Sequence, residues 1–191
     1  APDTQPTIRP WKDAGEIDAA IARMAAELQS RMTERGVRAP LLIGIHTGGV
    51  WVAERLQGLL GIGEALGTLD ISFYRDDFTR IGMNPEVKPS HIPFSIDDRH
   101  IILVDDVLQT GRTIRAAMNE IFDYGRPSSI TLAALVERGG RELPIQPAVV
   151  GIRPLLSMEQ HITLTGPQPL GLVIGESKRS ARATARETGA E

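Results

Sequence analysis

The chain has 191 residues, 41% hydrophobic and 24% charged, values that suit one soluble α/β domain with a sizeable core. A net charge of -3 excludes the global basic field that advertises nucleic acid and leaves only a local basic patch for such contacts. The absence of cysteine excludes a disulfide framework, a thiolate metal site and a cysteine nucleophile, and fits a reducing cytoplasm.

The opening "APDTQPTIRP" lacks the charged start and apolar stretch of a signal peptide, so residues 1–15 are expected to form a loose N-terminal arm. Ile17, Ile21, Met24 and Leu28 recur at helical spacing and predict a helix over residues 16–35, stopped by Gly36 and Pro40. "LLIGIH" is a short buried strand, "TGG" a turn, and residues 50–60 a second helix. In "TLDISFY" Leu69, Ile71 and Phe73 share one face, which predicts a half-buried strand over residues 68–74. Residues 76–90 carry Gly82, Asn84, Pro85 and Pro89 without a period and are expected to form a long functional loop or a projecting β-ribbon. "HIPFSI" is a candidate returning strand.

Strands follow over residues 101–104, 129–136 and, more weakly, 148–152, with a helix over residues 112–124. "HITLT" and "LGLVI" predict two short strands joined by a Gly-Pro turn, and residues 176–191 a polar, disordered tail. No apolar run reaches the roughly 18 residues that a membrane span needs, so no membrane partner is expected. The alternation of strand and helix implies one α/β domain, residues 16–175, with a parallel sheet and helices on both faces.

The stretch "HIILVDDVLQTGRT" carries the chemistry. In a doubly wound sheet, ligands sit at the carboxyl edge of the strands, where Asp105 and Asp106 are expected as the backbone turns. Two carboxylates there can accept hydrogen bonds from the vicinal hydroxyls of a ribose. The following loop, with Gly111 opening a helix and hydroxyls on Thr110 and Thr113, presents backbone N–H groups to an anion. Together they describe a pocket for ribose 5-phosphate. A helix cap explains Asp106 or Thr110 singly, but not the whole set in one register. The Gly-x4-Gly-Lys-Ser/Thr loop of nucleoside triphosphatases is absent.

This stretch resembles the phosphoribosyl pyrophosphate (PRPP) motif of type I phosphoribosyltransferases. With "IGIHTGGVWVAERL", "LDISFYRDDFTRIGMNP" and "ITLAALVERGGRELPI", the chain over residues 17–151 is similar to the PyrR family. Its members are uracil phosphoribosyltransferases, and some bind mRNA to attenuate pyrimidine operons. The resemblance implies a type I phosphoribosyltransferase-like parallel sheet flanked by helices, with a flexible hood loop over residues 76–90. It implies that Asp105 and Asp106 hold the ribose hydroxyls, and that Val107, Thr110, Gly111, Arg112 and Thr113 surround the 5-phosphate. Thr47, Gly48 and Gly49 would form the pyrophosphate loop, and Arg75 would reach the leaving group. Asp76 and Asp77 would contact Mg²⁺ indirectly, through water. Val136, Glu137, Arg138 and Gly139 lie where the family seats its base. The substrates implied are PRPP and uracil, the products UMP and pyrophosphate, the cofactor Mg²⁺, the compartment the cytoplasm, and the assembly a homodimer or larger homo-oligomer.

Several of these residues keep a second reading. Arg75 with Asp76 and Asp77 also reads as a solvated ion cluster, Thr47-Gly48-Gly49 as a plain strand-to-helix turn, and Arg138 as a surface partner of Glu137 or Glu142. His46 reads as a core histidine. The sequence also departs from the family. The pyrophosphate loop is usually Thr-Arg-Gly, so Gly48 removes a cation beside the leaving group. Gly140, Gln146 and Ile152 replace a histidine, an arginine and a lysine of the RNA-binding members, while Ala22 and Ala26 replace a threonine and a histidine. Fewer cations predict weaker RNA binding, with Arg23, Arg31, Arg138, Arg141 and Arg153 remaining. The alternatives to a uracil enzyme are therefore a UMP- or UTP-sensing RNA-binding attenuator and a transferase for another base, such as a purine.

Overall fold

A computed structural model describes residues 7–71 and 90–176. Its elements are β1 (Thr7–Lys12), α1 (Ala14–Glu34), β2 (Leu41–Ile45), α2 (Gly48–Leu60), β3 (Gly67–Leu69), β4 (His100–Leu108), α3 (Arg112–Tyr124), β5 (Ser129–Glu137), β6 (Val149–Ile152), β7 (Gln160–Thr165) and β8 (Gly171–Glu176). Five strands form a parallel sheet in the order β3-β2-β4-β5-β6. The parallel strands are nearly continuous apolar runs because both faces are covered.

Alternation along the strands sorts the core into two layers. Leu42, Ile102, Val104, Ala133 and Leu135 pack against α1 and α2. Leu41, Ile43, Ile101, Leu103 and Ala134 pack against Ile114, Ala117 and Ile121 of α3. Helix α1 starts at Asp13 through a reciprocal capping box with Glu16, at 2.9 and 3.0 Å. It lays Ile17, Ile21, Met24 and Leu28 on the sheet.

Four expectations are corrected in detail. Residues 7–12, assigned to a loose arm, form β1 and pair antiparallel with β8, which with β7 builds a second, three-stranded sheet. Leu164 and Leu172 of that sheet belong to the α1 core layer, so the sheet is part of the same domain. The "HIPFSI" segment is irregular: His91 makes one antiparallel bridge with Thr68, and Pro93 removes a donor just beyond it. Strand β4 does not end at Val104 but runs to Leu108, because β5 continues alongside it and pairs with Asp105, Val107 and Leu108. The strand expected over residues 68–74 is short: β3 ends at Leu69, and residues 72–89 lie outside the described residues, as do 177–191. No helix among the described residues is long and apolar enough to cross a membrane.

Candidate active site

The carboxyl edge of β4 is the centre of the site. Asp105 is buried and Asp106 half-buried. The two carboxylates cap successive amides: Asp106 N–H donates to Asp105 Oδ1 at 2.9 Å, and Val107 N–H donates to Asp106 Oδ1 at 2.8 Å. These bonds fix both side chains, and both line one pocket of about 350 Å³ together with Val107, Thr110, Gly111 and Thr113. The acidic pair and the loop of Thr110, Gly111 and Thr113 thus share one pocket.

The phosphate loop is suited to an anion. Gly111 takes a φ of 91° at the N-terminus of α3, a conformation that favours glycine. It brings no side chain to cap the helix, and the first turn of α3 contains no acidic residue. The N-terminus of α3 therefore borders the pocket, through Gly111 and Thr113, with no carboxylate of its own first turn competing for an anion. Thr110 Oγ1 accepts from Arg112 N–H at 3.1 Å, which tightens the turn. Arg112 does not line the pocket; its Nε pairs with Glu142 at 2.5 Å.

Residues 137–145 brace this loop from behind. The amides of Glu142 and Leu143 donate to Thr110 O at 2.9 and 3.2 Å, and Arg138 N–H donates to Leu108 O at 3.0 Å. Arg141 ties the brace together. Its guanidinium donates to Gln109 O at 3.0 Å, to Ile145 O at 2.7 Å and to Glu137 at 2.9 Å.

Thr47 is the N-cap of α2, and Gly48 and Gly49, expected in the turn before a helix over residues 50–60, form the first turn of that helix; the His46–Thr47 peptide is cis. Both glycines approach β4 closely. A Cβ on Gly49 would stand 2.7 Å from Val104 O, and one on Gly48 would overlap the Asp106 carboxyl group. The turn therefore sits directly beside the acidic pair, although it does not line the same pocket.

The four residues assigned to the base do not line that pocket either. Val136 is in the core, paired with Val107 and Ile152. Glu137 holds Arg141 and, at 3.1 Å, Arg153. Arg138 is buried at 3% exposure and donates to the backbone carbonyls of Ser157, at 2.9 Å, and Gln160, not to Glu137 or Glu142. Burial lowers its pKa from the usual arginine value because desolvation disfavours the charged form. Glu137, Arg138 and Gly139 border a separate, arginine-rich hollow of about 610 Å³ that also includes Arg141 and Arg153. Arg75, Asp76 and Asp77 lie outside the described residues.

Ile162 and Thr163 of β7 complete the wall of the acidic pocket, and sequence reasoning missed them. Their segment reads only as an alternating strand. Nothing in that pattern tells that the second sheet reaches the edge of the first.

The Phosphoribosyl transferase domain family matches residues 12–166. The chain is 63% identical to the Bifunctional protein PyrR of Nitrosococcus oceani over 156 residues, 81% of this chain and 88% of that one. It is 57% identical to the protein of the same name from Pseudomonas paraeruginosa over 152 residues, 80% of this chain and 89% of that one. Among solved structures, the hypoxanthine phosphoribosyl transferase of Trypanosoma cruzi superposes with a TM-score of 0.66, covering 93% of this chain and 95% of that one at 19% identity. The purine phosphoribosyltransferase of Pyrococcus horikoshii gives a TM-score of 0.55 at 24% identity, over 74% of this chain and 84% of that one. These two similarities concern the fold.

Proposed function

The chain belongs to the phosphoribosyltransferase family and within it to PyrR, and from that premise we propose that it transfers ribose 5-phosphate from PRPP to uracil, giving UMP and pyrophosphate. The observation that carries this reading is the convergence of Asp105, Asp106 and the Thr110–Thr113 loop on one pocket at the carboxyl edge of the central strand.

The pocket gives each end of the substrate its own chemistry. The amides of Gly111 and Thr113 and the hydroxyls of Thr110 and Thr113 bind the 5-phosphate. Asp105 and Asp106 accept hydrogen bonds from the ribose hydroxyls. The nitrogen of the base attacks C1 as the bond from C1 to the pyrophosphate oxygen breaks, and the base loses its proton. The sugar passes through an oxocarbenium-like state, as in glycoside hydrolysis, and the nearby carboxylates steady its positive charge. No covalent nucleophile is needed, and the protein's contribution is positioning and electrostatics.

The donor set at the pocket suits Mg²⁺. The described residues contain no cluster of three or more metal-ligating side chains, and Mg²⁺ characteristically keeps waters and binds through one or two carboxylates plus substrate phosphates. When bound, Mg²⁺ supplies positive charge to the leaving pyrophosphate. Asp105 and Asp106 would hold its waters, with Asp76 and Asp77 contributing from the preceding segment, and Arg75 would add a cation. The protein is expected to act in the cytoplasm as a homodimer or larger homo-oligomer.

A second activity, binding pyrimidine-leader RNA, is suggested by the word "bifunctional" in the relatives' name. Three of the five remaining arginines speak for weak binding, because Arg141 and Arg153 are tied to Glu137 and Arg138 is buried. A salt-dependent gel shift of leader RNA would support it; no shift at low salt would sink it.

The deciding assay is pyrophosphate release from PRPP and Mg²⁺ with uracil, beside hypoxanthine, guanine, xanthine and orotate. Release with uracil alone is expected. Release with a purine would keep the mechanism and overturn the base. Replacing Asp105 and Asp106 together by asparagine should abolish transfer, and retained turnover would refute their role.

A further inference from the structure

The glycine that replaces the family's cation in the pyrophosphate loop has a structural counterpart across the site. A Cβ built on Gly48 would stand 2.8 Å from Cγ of Asp106 and 3.0 Å from its Cβ, with the carboxylate oxygen nearer still. Atoms that close cannot coexist, so any side chain at position 48 displaces the Asp106 carboxyl group from where it now lies. The contact with the Asp106 Cβ is relieved by a shift of a few tenths of an ångström; the contact with the carboxyl group is not.

Neither side can yield freely. The Asp106 carboxylate is held by Val107 N–H at 2.8 Å, and swinging it away from Gly48 gives up that bond. The loop is held by its second glycine, whose backbone packs against β4 so closely that a Cβ there would lie 2.7 Å from Val104 O and 3.1 Å from the Asp105 Cα. Moving the loop outward lifts the start of α2 from β4.

We propose that Gly48 is a positioning residue for Asp106: the missing side chain provides the space in which this carboxylate is set for the ribose hydroxyls. On this view Gly48 is a requirement of this active site, and restoring the family's arginine impairs it. The inference rests on the reading of Asp106 as a PRPP ligand, and the test separates the two.

The experiment is a double-mutant cycle read by calorimetric titration of PRPP with Mg²⁺ into the full chain, with thermal melts of each variant. Gly48→Ala is expected to weaken PRPP binding about tenfold, or about 1.4 kcal/mol. Asp106→Ala, which removes the carboxyl group, is expected to weaken it as well. In the Asp106→Ala background Gly48→Ala should cost less than about twofold, because residues that share one interaction are not additive. Gly48→Arg should bind more weakly than Gly48→Ala.

If Asp106→Ala binds PRPP like the parent, the ligand role of Asp106 falls and the inference falls with it. If Asp106→Ala weakens binding while Gly48→Ala is neutral, or the two effects add, only the positioning role is overturned. Tighter binding by Gly48→Arg would also overturn it. Should Gly48→Ala fold poorly, recovery of its melting temperature in the Gly48→Ala/Asp106→Ala protein supports the clash with Asp106. A double variant that folds just as poorly refutes it.

Discussion

Arg138 is the buried cation among the described residues, and its removal should unfasten β7 from β5. The side chain is 3% exposed and donates to Ser157 O at 2.9 Å and to Gln160 O. Its Nε has no hydrogen-bond partner among the described residues. Hydrogen bonds from charged donors are worth about 1.5–3 kcal/mol each on removal, so two of them set a gross loss of about 3–6 kcal/mol. Part of this is returned, because the variant no longer desolvates a guanidinium with an unsatisfied N–H and because the freed carbonyls regain water. We expect Arg138→Ala to lower the unfolding free energy by about 2–3 kcal/mol, or about 4–12 °C in melting temperature for a chain of this size. Arg138→Met, which keeps the bulk of the stem while removing the charge, should lose about half as much. Urea titration at constant m-value is the measure of stability, and hydrogen exchange at residues 157–162 reports the local opening. An alanine variant that melts with the parent, or unchanged exchange at residues 157–162, would refute the fastening role. Arginine is not deprotonated in proteins, so the loss should be constant from pH 6 to 8.

Further consequences follow from single contacts. Asp13→Ala breaks the capping box of α1 and should cost about 1 kcal/mol in a thermal melt with transferase kinetics unchanged, since the cap is remote from the pocket. Arg141→Ala frees Gln109 O and Ile145 O and should raise the KM for PRPP about tenfold, about 1.4 kcal/mol, while Arg141→Lys should not restore it because one ammonium cannot reproduce the fork. Gly151→Ala sets a methyl 2.7 Å from Leu135 O and 3.0 Å from the Met24 sulfur, so it should push α1 off the sheet and destabilise by about 1–3 kcal/mol in urea titration.

The central sheet was legible because its signals are local. Leu41–Ile45 and the start of β4 are apolar runs, and Gly111 marks the start of α3. The acidic pair and the phosphate loop were legible for the same reason: one short stretch carries them both. What could not be read depends on contacts distant in sequence. β1 contains three polar residues and a proline and becomes a strand only because β8 offers an edge. Arg138 reads as a base-site residue or a surface cation, yet its guanidinium is buried and bonded to Ser157 O and Gln160 O at the start of β7. The place of Ile162 and Thr163 in the pocket wall is likewise a result of how the two sheets meet.

The acidic pocket and the neighbouring turn of Thr47, Gly48 and Gly49 are built differently, and that difference has a measurable outcome. On the side proposed for the 5-phosphate, the loop is braced by residues 137–145 and leads into the positive end of α3, so its attraction for an anion is part of the fold. On the side proposed for the leaving group, Thr47, Gly48 and Gly49 carry no cation, and the Asp106 carboxylate lies against Gly48. An anion placed there meets a negative charge first, at a cost of about 1–4 kcal/mol for unit charges 4 Å apart near a protein surface. Binding of pyrophosphate should therefore depend on Mg²⁺, and binding of ribose 5-phosphate should not. In calorimetric titrations, chelating Mg²⁺ is expected to weaken pyrophosphate by at least about tenfold, about 1.4 kcal/mol, and ribose 5-phosphate by less than about twofold. Equal losses for the two ligands would mean that the metal organises the whole pocket. Unchanged pyrophosphate affinity would mean that Arg75 or another cation already neutralises the carboxylates, and the division of labour between the two sides would be wrong.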